Sequence, residues 1–322
     1  MSALKAYTAQ ELTRIEACLR EKAQALSPYV RPTALHVLEA GGKRLRPMLT
    51  ILTARALGYG SMDIYPLACS LELLHSATLL HDDILDRGDM RRGRPTAHTI
   101  FGRTHTILAG DVLLALANTT VASYDRPALT ACLSEAILAT ASGEIEEIAH
   151  IRDADLTLEG YLSIITGKTA CLIQAACQSG AILAGASPEM ERTAADFGRY
   201  LGIAFQLVDD VLDYTSTKEV AGKTTGGDLR EGKLTLPLIF YIESLAPEAK
   251  ERFTSAFKHN TLHEEDVELV LQQVAKDGHA KRSRDIAGSY LQQARECLAR
   301  FPEVPETAFL AAALEGMASR DK

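Results

Sequence analysis

The sequence predicts an all-α protein folded as a single domain over residues 1–322, and three observations carry the prediction. Apolar residues recur at helical spacing almost throughout. No alternating strand pattern bounded by hairpin turns interrupts them. Glycine and proline fall at the joints between helical segments, and no Pro/Gly/Ser-rich linker divides the chain. Residues 8–26 open the series as an amphipathic helix, with Leu12, Ile15, Cys18 and Leu19 at helical spacing. Helices at 32–40 and 44–57 follow, and Pro47 sits in the opening turn of the second, where it is tolerated. Gly58-Tyr59-Gly60 ends that run, and a strongly apolar helix spans 64–87. After a break at 88–95 comes 104–122, apolar nearly all round, which belongs inside a bundle. Tyr124-Asp125-Arg126-Pro127 leads into 126–149, followed by 157–184, whose second half is again apolar all round. Gly185-Ala186-Ser187-Pro188 introduces 188–216, and a glycine-rich stretch at 222–227 ends it. Segments at 233–244, 247–258, 263–276, 279–300 and 304–317 complete a bundle of roughly 10–13 helices.

Two clusters of the form D-D-x-x-D stand out within these apolar helices. They are Asp82-Asp83-Ile84-Leu85-Asp86 and Asp209-Asp210-Val211-Leu212-Asp213. Residues four apart share a helix face, so Asp82 and Asp86 point one way, as do Asp209 and Asp213. Burying so many carboxylates unpaired is prohibitively costly. A hard divalent cation removes the difficulty, and Mg²⁺ takes one or two carboxylates while water and phosphate complete its shell.

Basic loops accompany both clusters. Gly41-Gly42-Lys43-Arg44-Leu45-Arg46-Pro47 sets three cations beside a flexible glycine pair, and Asp89-Met90-Arg91-Arg92-Gly93-Arg94-Pro95 follows the first cluster. Lys218, Lys223 and Lys233 follow the second. The planar fork of arginine suits phosphate oxygens, and lysine serves them as a point charge. Metal on one side of the anion and cations on the other are what a diphosphate requires.

With these motifs in place the chain resembles the trans-isoprenyl diphosphate synthases, the polyprenyl synthetase family. The landmarks run in family order: G-G-K-R-L-R-P at 41–47, L-E-L-L-H at 71–75, D-D-I-L-D at 82–86, D-M-R-R-G at 89–93, G-K-T at 167–169, F-Q-L-V-D-D-V-L-D at 205–213 and G-K-T-T-G-G-D-L at 222–229. The resemblance implies an isoprenoid synthase-like bundle whose acidic helices face each other across a central cavity. It implies a Mg²⁺-dependent 1′–4 condensation of isopentenyl diphosphate with an allylic diphosphate, using about three Mg²⁺ per site. Asp82, Asp86 and Asp209 are then the expected direct ligands, with Asp83, Asp210 and Asp213 acting through water or neighbouring groups. Arg91, Lys168, Lys223 and Lys233 are expected on the allylic diphosphate. Lys43, Arg46, His75 and Arg92 are expected on isopentenyl diphosphate, without metal. Lys168, Thr169 and Gln206 form the catalytic set near the carbocation, although Thr169 has an alternative in bonding back to its own helix. The family reads product length just upstream of the first acidic cluster. Ala77 and Thr78 occupy the positions where members that stop at C15 or C20 commonly carry an aromatic, and Leu73 lies about one turn deeper. A product longer than C20 is therefore expected, in the pattern of octaprenyl-type synthases, with a shorter farnesyl or geranylgeranyl product as the alternative. Homodimerisation, and transient membrane contact for product release, are further implications of the resemblance.

Other readings fit less of the sequence. Gly167-Lys168-Thr169 and Gly222-Lys223-Thr224 lack the upstream glycine of a nucleotide P-loop. Glu72-x-x-His75 and Glu147-x-x-His150 are half of a di-iron carboxylate site, but that oxidoreductase leaves the aspartate clusters and basic loops unexplained. A net charge of −8 without a dense basic stripe argues against nucleic acid as a partner. The six cysteines show no metal-binding spacing and read as reduced residues of a cytoplasmic protein. The sequence contains no run of about eighteen uncharged apolar residues, so no transmembrane helix is expected. The opening residues lack the apolar region of a signal peptide.

Overall fold

The computed structural model describes residues 2–216 and 225–318. Their helices are α1 (Ser2–Gln24), α2 (Arg31–Leu38), α3 (Leu45–Ala56), α4 (Ile64–Leu85), α5 (Ala97–Phe101), α6 (Arg103–Ala122), α7 (Pro127–Ala149), α8 (Leu158–Ile165), α9 (Cys171–Ala184), α10 (Pro188–Thr215), α11 (Gly227–Glu231), α12 (Leu236–Ser244), α13 (Pro247–Lys258), α14 (Glu264–Lys276), α15 (His279–Leu298) and α16 (Pro305–Ala318). The protein is all-α, as its sequence predicts. Two compact units divide the chain: unit 1 comprises Met1–Ile137, Leu172–Ala195 and Arg300–Leu310, and unit 2 comprises Leu138–Cys171, Asp196–Ala299 and Ala311–Lys322.

In unit 1, α4 is the organising helix and packs against α1, α3 and α6. Ile15, Leu19, Leu49, Ile51, Leu67, Leu71, Leu73 and Leu74 are fully buried there, which removes a large apolar area from water. Gly180 of α9 lets that helix approach α3, since a Cβ would lie 2.6 Å from the Thr50 carbonyl oxygen. The core of unit 2 is built from Leu207 and Val211 of α10, Leu236, Leu238 and Phe240 of α12, and Phe257, Val270 and Val274.

Two local features depart from the sequence expectation. The break at 88–95 holds a two-stranded ribbon, β1 (Met90–Arg91) and β2 (Arg94–Pro95), paired Met90 to Pro95 and Arg91 to Arg94. Its loop residues Arg92 (φ 52°) and Gly93 (φ 73°) both take positive φ, as a two-residue hairpin turn whose twist matches its strands requires. Two-residue strands carry no alternation that a sequence pattern can register. The single helix expected over 157–184 is interrupted by a π-helical turn, Thr166–Ala170. Two glycines make room for it. A Cβ on Gly143 of α7 would sit 2.4 Å from the Lys168 backbone nitrogen, and one on Gly202 of α10 would sit 2.6 Å from the Ala170 Cα. Helix α6 is long and apolar enough to cross a membrane by length and composition alone, a test that the core helix of a soluble protein also passes. Asp111 and Arg103 break its apolar run, and the helix still averages hydrophobic because its remaining residues are so apolar.

Candidate active site

Both aspartate clusters lie at the C-terminal ends of their helices, Asp82, Asp83 and Asp86 on α4 and Asp209, Asp210 and Asp213 on α10. Neither helix has a basic residue in its last turn. The negative end of a helix macrodipole disfavours anions, so each cluster stands where a bound cation relieves the most repulsion. Among the described residues no three His, Cys, Asp or Glu side chains gather into a closed metal site. An open arrangement of carboxylates one turn apart suits Mg²⁺, which leaves most of its shell to water and phosphate. The donor set therefore fits a Mg²⁺–diphosphate complex.

In unit 1 the first cluster adjoins a dense group of cations. The buried Asp83 accepts from Arg91 Nε at 2.5 Å, which ties β1 to the end of α4. Asp82 is partly buried and Asp86 is exposed at the helix cap. Arg92, at the tip of the ribbon, donates to the Gly41 carbonyl oxygen. It presses so closely on Gly42 that a Cβ there would lie 2.9 Å from Nη1, while Gly41 is suited to its positive φ of 80°. Arg94 donates to the Glu39 carbonyl oxygen at 3.2 Å, completing the attachment of the ribbon to the 39–42 turn. His75 is one face of this group. Burial first, then the charges of Arg46, Arg92, Arg91 and Arg44, hold its pKa well below the ordinary histidine range. Lys43 is exposed and Arg46 partly buried. Unit 1 thus brings Arg46, His75 and Arg92 together, and it sets Arg91, which the sequence assigns to the other diphosphate, beside them. On α4, Ala77 and Leu73 are both buried, and the Thr78 hydroxyl donates to the His75 carbonyl oxygen at 2.9 Å.

The second cluster, in unit 2, is more deeply engaged. Asp210 is buried and accepts from the Tyr161 hydroxyl and, at 2.7 Å, from the Gln206 amide. Burial pushes its carboxyl up to about 7, against the opposing effect of those two donors. A divalent cation nearby would reverse that push. Asp213 accepts from the backbone N–H groups of Gly227 (3.2 Å) and Asp228 (3.0 Å), and so caps α11. Thr169 donates to Gln206 Oε1 at 2.9 Å, across to α10 instead of back along its own helix. Lys168 Nζ lies 2.8 Å from Glu144 and 2.5 Å from Glu147. Burial pulls its pKa down, but the two glutamates outweigh burial and hold it above the ordinary lysine range. Lys233 Nζ is 2.8 Å from Glu231 and 3.8 Å from Glu147. Lys168, Thr169, Gln206 and Lys233 therefore share one site with Asp210, while Lys218 and Lys223 lie outside the described residues.

Glu144, Tyr161 and the role of Glu147 escape sequence reasoning. The signal available was a pair of acids one turn apart on an apolar helix, and it was absorbed into the E-x-x-H reading. That reading does not survive the contacts: Glu147 holds Lys168, Glu72 holds Arg44 at 2.8 Å, and His150 pairs with Asp153 at 2.6 Å.

The chain is similar to several known proteins. Residues 27–274 match the family model for polyprenyl synthetase. Octaprenyl diphosphate synthase of Escherichia coli is 38% identical over 299 residues, covering 92% of each chain. Among solved structures, a decaprenyl diphosphate synthase from Rhodobacter capsulatus superposes with a TM-score of 0.93 at 34% identity, covering 100% of this chain and 99% of the other. A polyprenyl synthase from Caulobacter crescentus, complexed with calcium and isoprenyl diphosphate, gives 0.93 at 33% identity, covering 99% and 97%.

Proposed function

Because the chain belongs to the polyprenyl synthetase family, we propose that it elongates an allylic diphosphate with isopentenyl diphosphate to a product longer than C20. The enzyme is a prenyltransferase, a long-chain polyprenyl diphosphate synthase, and the observation that carries this reading is the pair of D-D-x-x-D helix ends, each beside its own group of cations. The family match runs without interruption from 27 to 274 through segments of both compact units, which supports a single catalytic domain over 1–322.

A divalent metal, in our proposal Mg²⁺ at about three ions per site, would be held by Asp82, Asp86 and Asp209, and when bound it neutralises charge on the departing diphosphate. The calcium and isoprenyl diphosphate bound by the Caulobacter relative support a divalent cation together with this substrate class. Asp83, Asp210 and Asp213 orient the site through Arg91, Gln206 with Tyr161, and the N-terminus of α11. Lys168, Lys233, Lys223 and Arg91 hold the allylic diphosphate. Glu147, between Lys168 and Lys233, keeps the two ammonium groups aimed until the phosphate arrives. The Thr169 hydroxyl and the Gln206 amide place oxygen dipoles beside the allylic carbocation, the electrostatic preorganisation such an intermediate needs. Lys43, Arg46, Arg92 and His75 hold isopentenyl diphosphate. Its double bond attacks the cation, and the proton then lost passes to the departing diphosphate.

The decisive experiment incubates the protein with Mg²⁺, labelled isopentenyl diphosphate and each allylic primer in turn, then separates the dephosphorylated products. Products beyond C20 are expected, and no incorporation with any primer overturns the reading. Each isoprene unit spans about one helical turn, 5.4 Å, so Ala77 marks a depth along α4. Ala77→Phe is expected to cap elongation near about C15–C20 while the first condensation stays fast. An unchanged ladder would show that the tail does not pass Ala77. Because Ala77 is buried, a loss of stability of about 1–3 kcal/mol accompanies the change wherever its surroundings are filled.

We also propose a cytoplasmic homodimer. All six cysteines are free thiols, as a reducing compartment requires. On α6, Ile107 and Leu108 are exposed, and on α7, Leu138, Ile145 and Ile148 form a stripe at helical spacing with exposures of 70%, 69% and 50%. Apolar stripes of this kind mark association surfaces, and transient membrane contact during product release would use the same chemistry. Ile145→Asp is expected to convert the dimer to monomer in sedimentation, and an unchanged sedimentation coefficient would exclude α7 from the interface.

A further inference from the structure

We infer that the buried Arg44–Glu72 pair is a positioning device for isopentenyl diphosphate, an inference that rests on the function proposed above. Arg44 sits between Lys43 and Arg46, yet it is only 3% exposed and is turned inward. Its backbone is left-handed (φ 47°) at the residue preceding α3, a conformation that non-glycine residues hold only when their surroundings impose it.

The surroundings do impose it. Arg44 Nε donates to Glu16 of α1 at 2.7 Å, and Nη1 donates to the buried Glu72 of α4 at 2.8 Å. Nη2 donates to the Leu38 carbonyl oxygen at the end of α2 and, at 3.3 Å, to Glu16. One guanidinium fork therefore joins three helices to the start of a fourth. Lysine, with three donors on a single point charge, cannot reproduce that geometry.

The consequence for the site follows from position along each helix. Glu72 lies one turn before His75 on α4, so the two share a face. Lys43 and Arg46 flank Arg44 at the entry to α3. The pair thus fixes the register between the helix that carries His75 and the loop that carries Lys43 and Arg46. It also supplies negative charge where it is needed. Arg44, Arg46, Arg91 and Arg92 all act on His75; Glu72 and Glu16 together more than offset the charge of Arg44 and Asp83 pairs with Arg91, which leaves Arg46 and Arg92 to meet the substrate phosphate.

Steady-state kinetics with each diphosphate varied in turn, measured beside thermal unfolding, test the inference on wild type, Arg44→Lys and the double variant Arg44→Met/Glu72→Met. Removing one partner of a buried ion pair strands the other, whereas removing both is tolerated, and Arg44→Lys keeps the buried charge. In both variants the KM for isopentenyl diphosphate is expected to rise on the order of tenfold, with that for the allylic substrate within about twofold of wild type. A purely structural pair would instead lower the unfolding temperature with both KM values unchanged or moving together, and that result in a folded variant overturns the inference. Wild type that condenses nothing overturns the proposed function instead, so the two failures are distinct.

Discussion

Asp82→Asn and Asp209→Asn are each expected to lower turnover on the order of 10²–10³-fold, the scale seen when a single group stabilising developing charge is removed. Asparagine keeps the volume of aspartate and the helix that carries it, so the fold should remain intact. What it loses is the anionic oxygen that a hard cation requires. The effect should also show without catalysis. A ligand present at 100 times its Kd stabilises the folded state by about 2.7 kcal/mol. Mg²⁺ with inorganic diphosphate is accordingly expected to raise the unfolding temperature of the wild type and to leave that of either variant nearly unchanged. Removal of metal by EDTA should abolish condensation in the wild type. Full activity in EDTA, or an iron-dependent absorption band in the purified protein, would count against Asp82 and Asp209 as Mg²⁺ ligands.

Arg46→Ala carries the second-largest expectation. Arg46 is in the opening turn of α3, and its charge is the strongest of the four that lower the His75 pKa, which places it at the cationic group of unit 1. Loss of one charged contact to a bound phosphate costs about 2–5 kcal/mol. That cost should fall on the KM for isopentenyl diphosphate and spare the allylic substrate, whose diphosphate is proposed to be held by Lys168 and Lys233. An equal rise in both KM values would show that the two diphosphate sites have been assigned the wrong way round.

The sequence alone determined a great deal of this protein. The helices, the glycine and proline joints between them and the placement of both aspartate clusters on helix faces follow from periodicity within short segments, because the α-helix is held by contacts three and four residues apart. The paired clusters and basic loops likewise implied a diphosphate and a divalent metal before any contact was known, since few other ligands suit that combination of charges. The tertiary structure decided who neutralises whom. Glu147 and Glu144 hold Lys168 from 21 and 24 residues away along the chain, and Glu72 meets Arg44 across 28. Separations of that length are closed only by the packing of whole helices, and nothing in local spacing encodes them. The π-helical turn at Thr166–Ala170 depends in the same way on Gly143 and Gly202, which lie on other helices. The ribbon that carries Arg91 and Arg92 is two residues long on each side, too short to show a period of its own. Long-range electrostatics and close backbone approach thus belong to the fold, and they set which cations remain directed at substrate and which are spent on holding the site together.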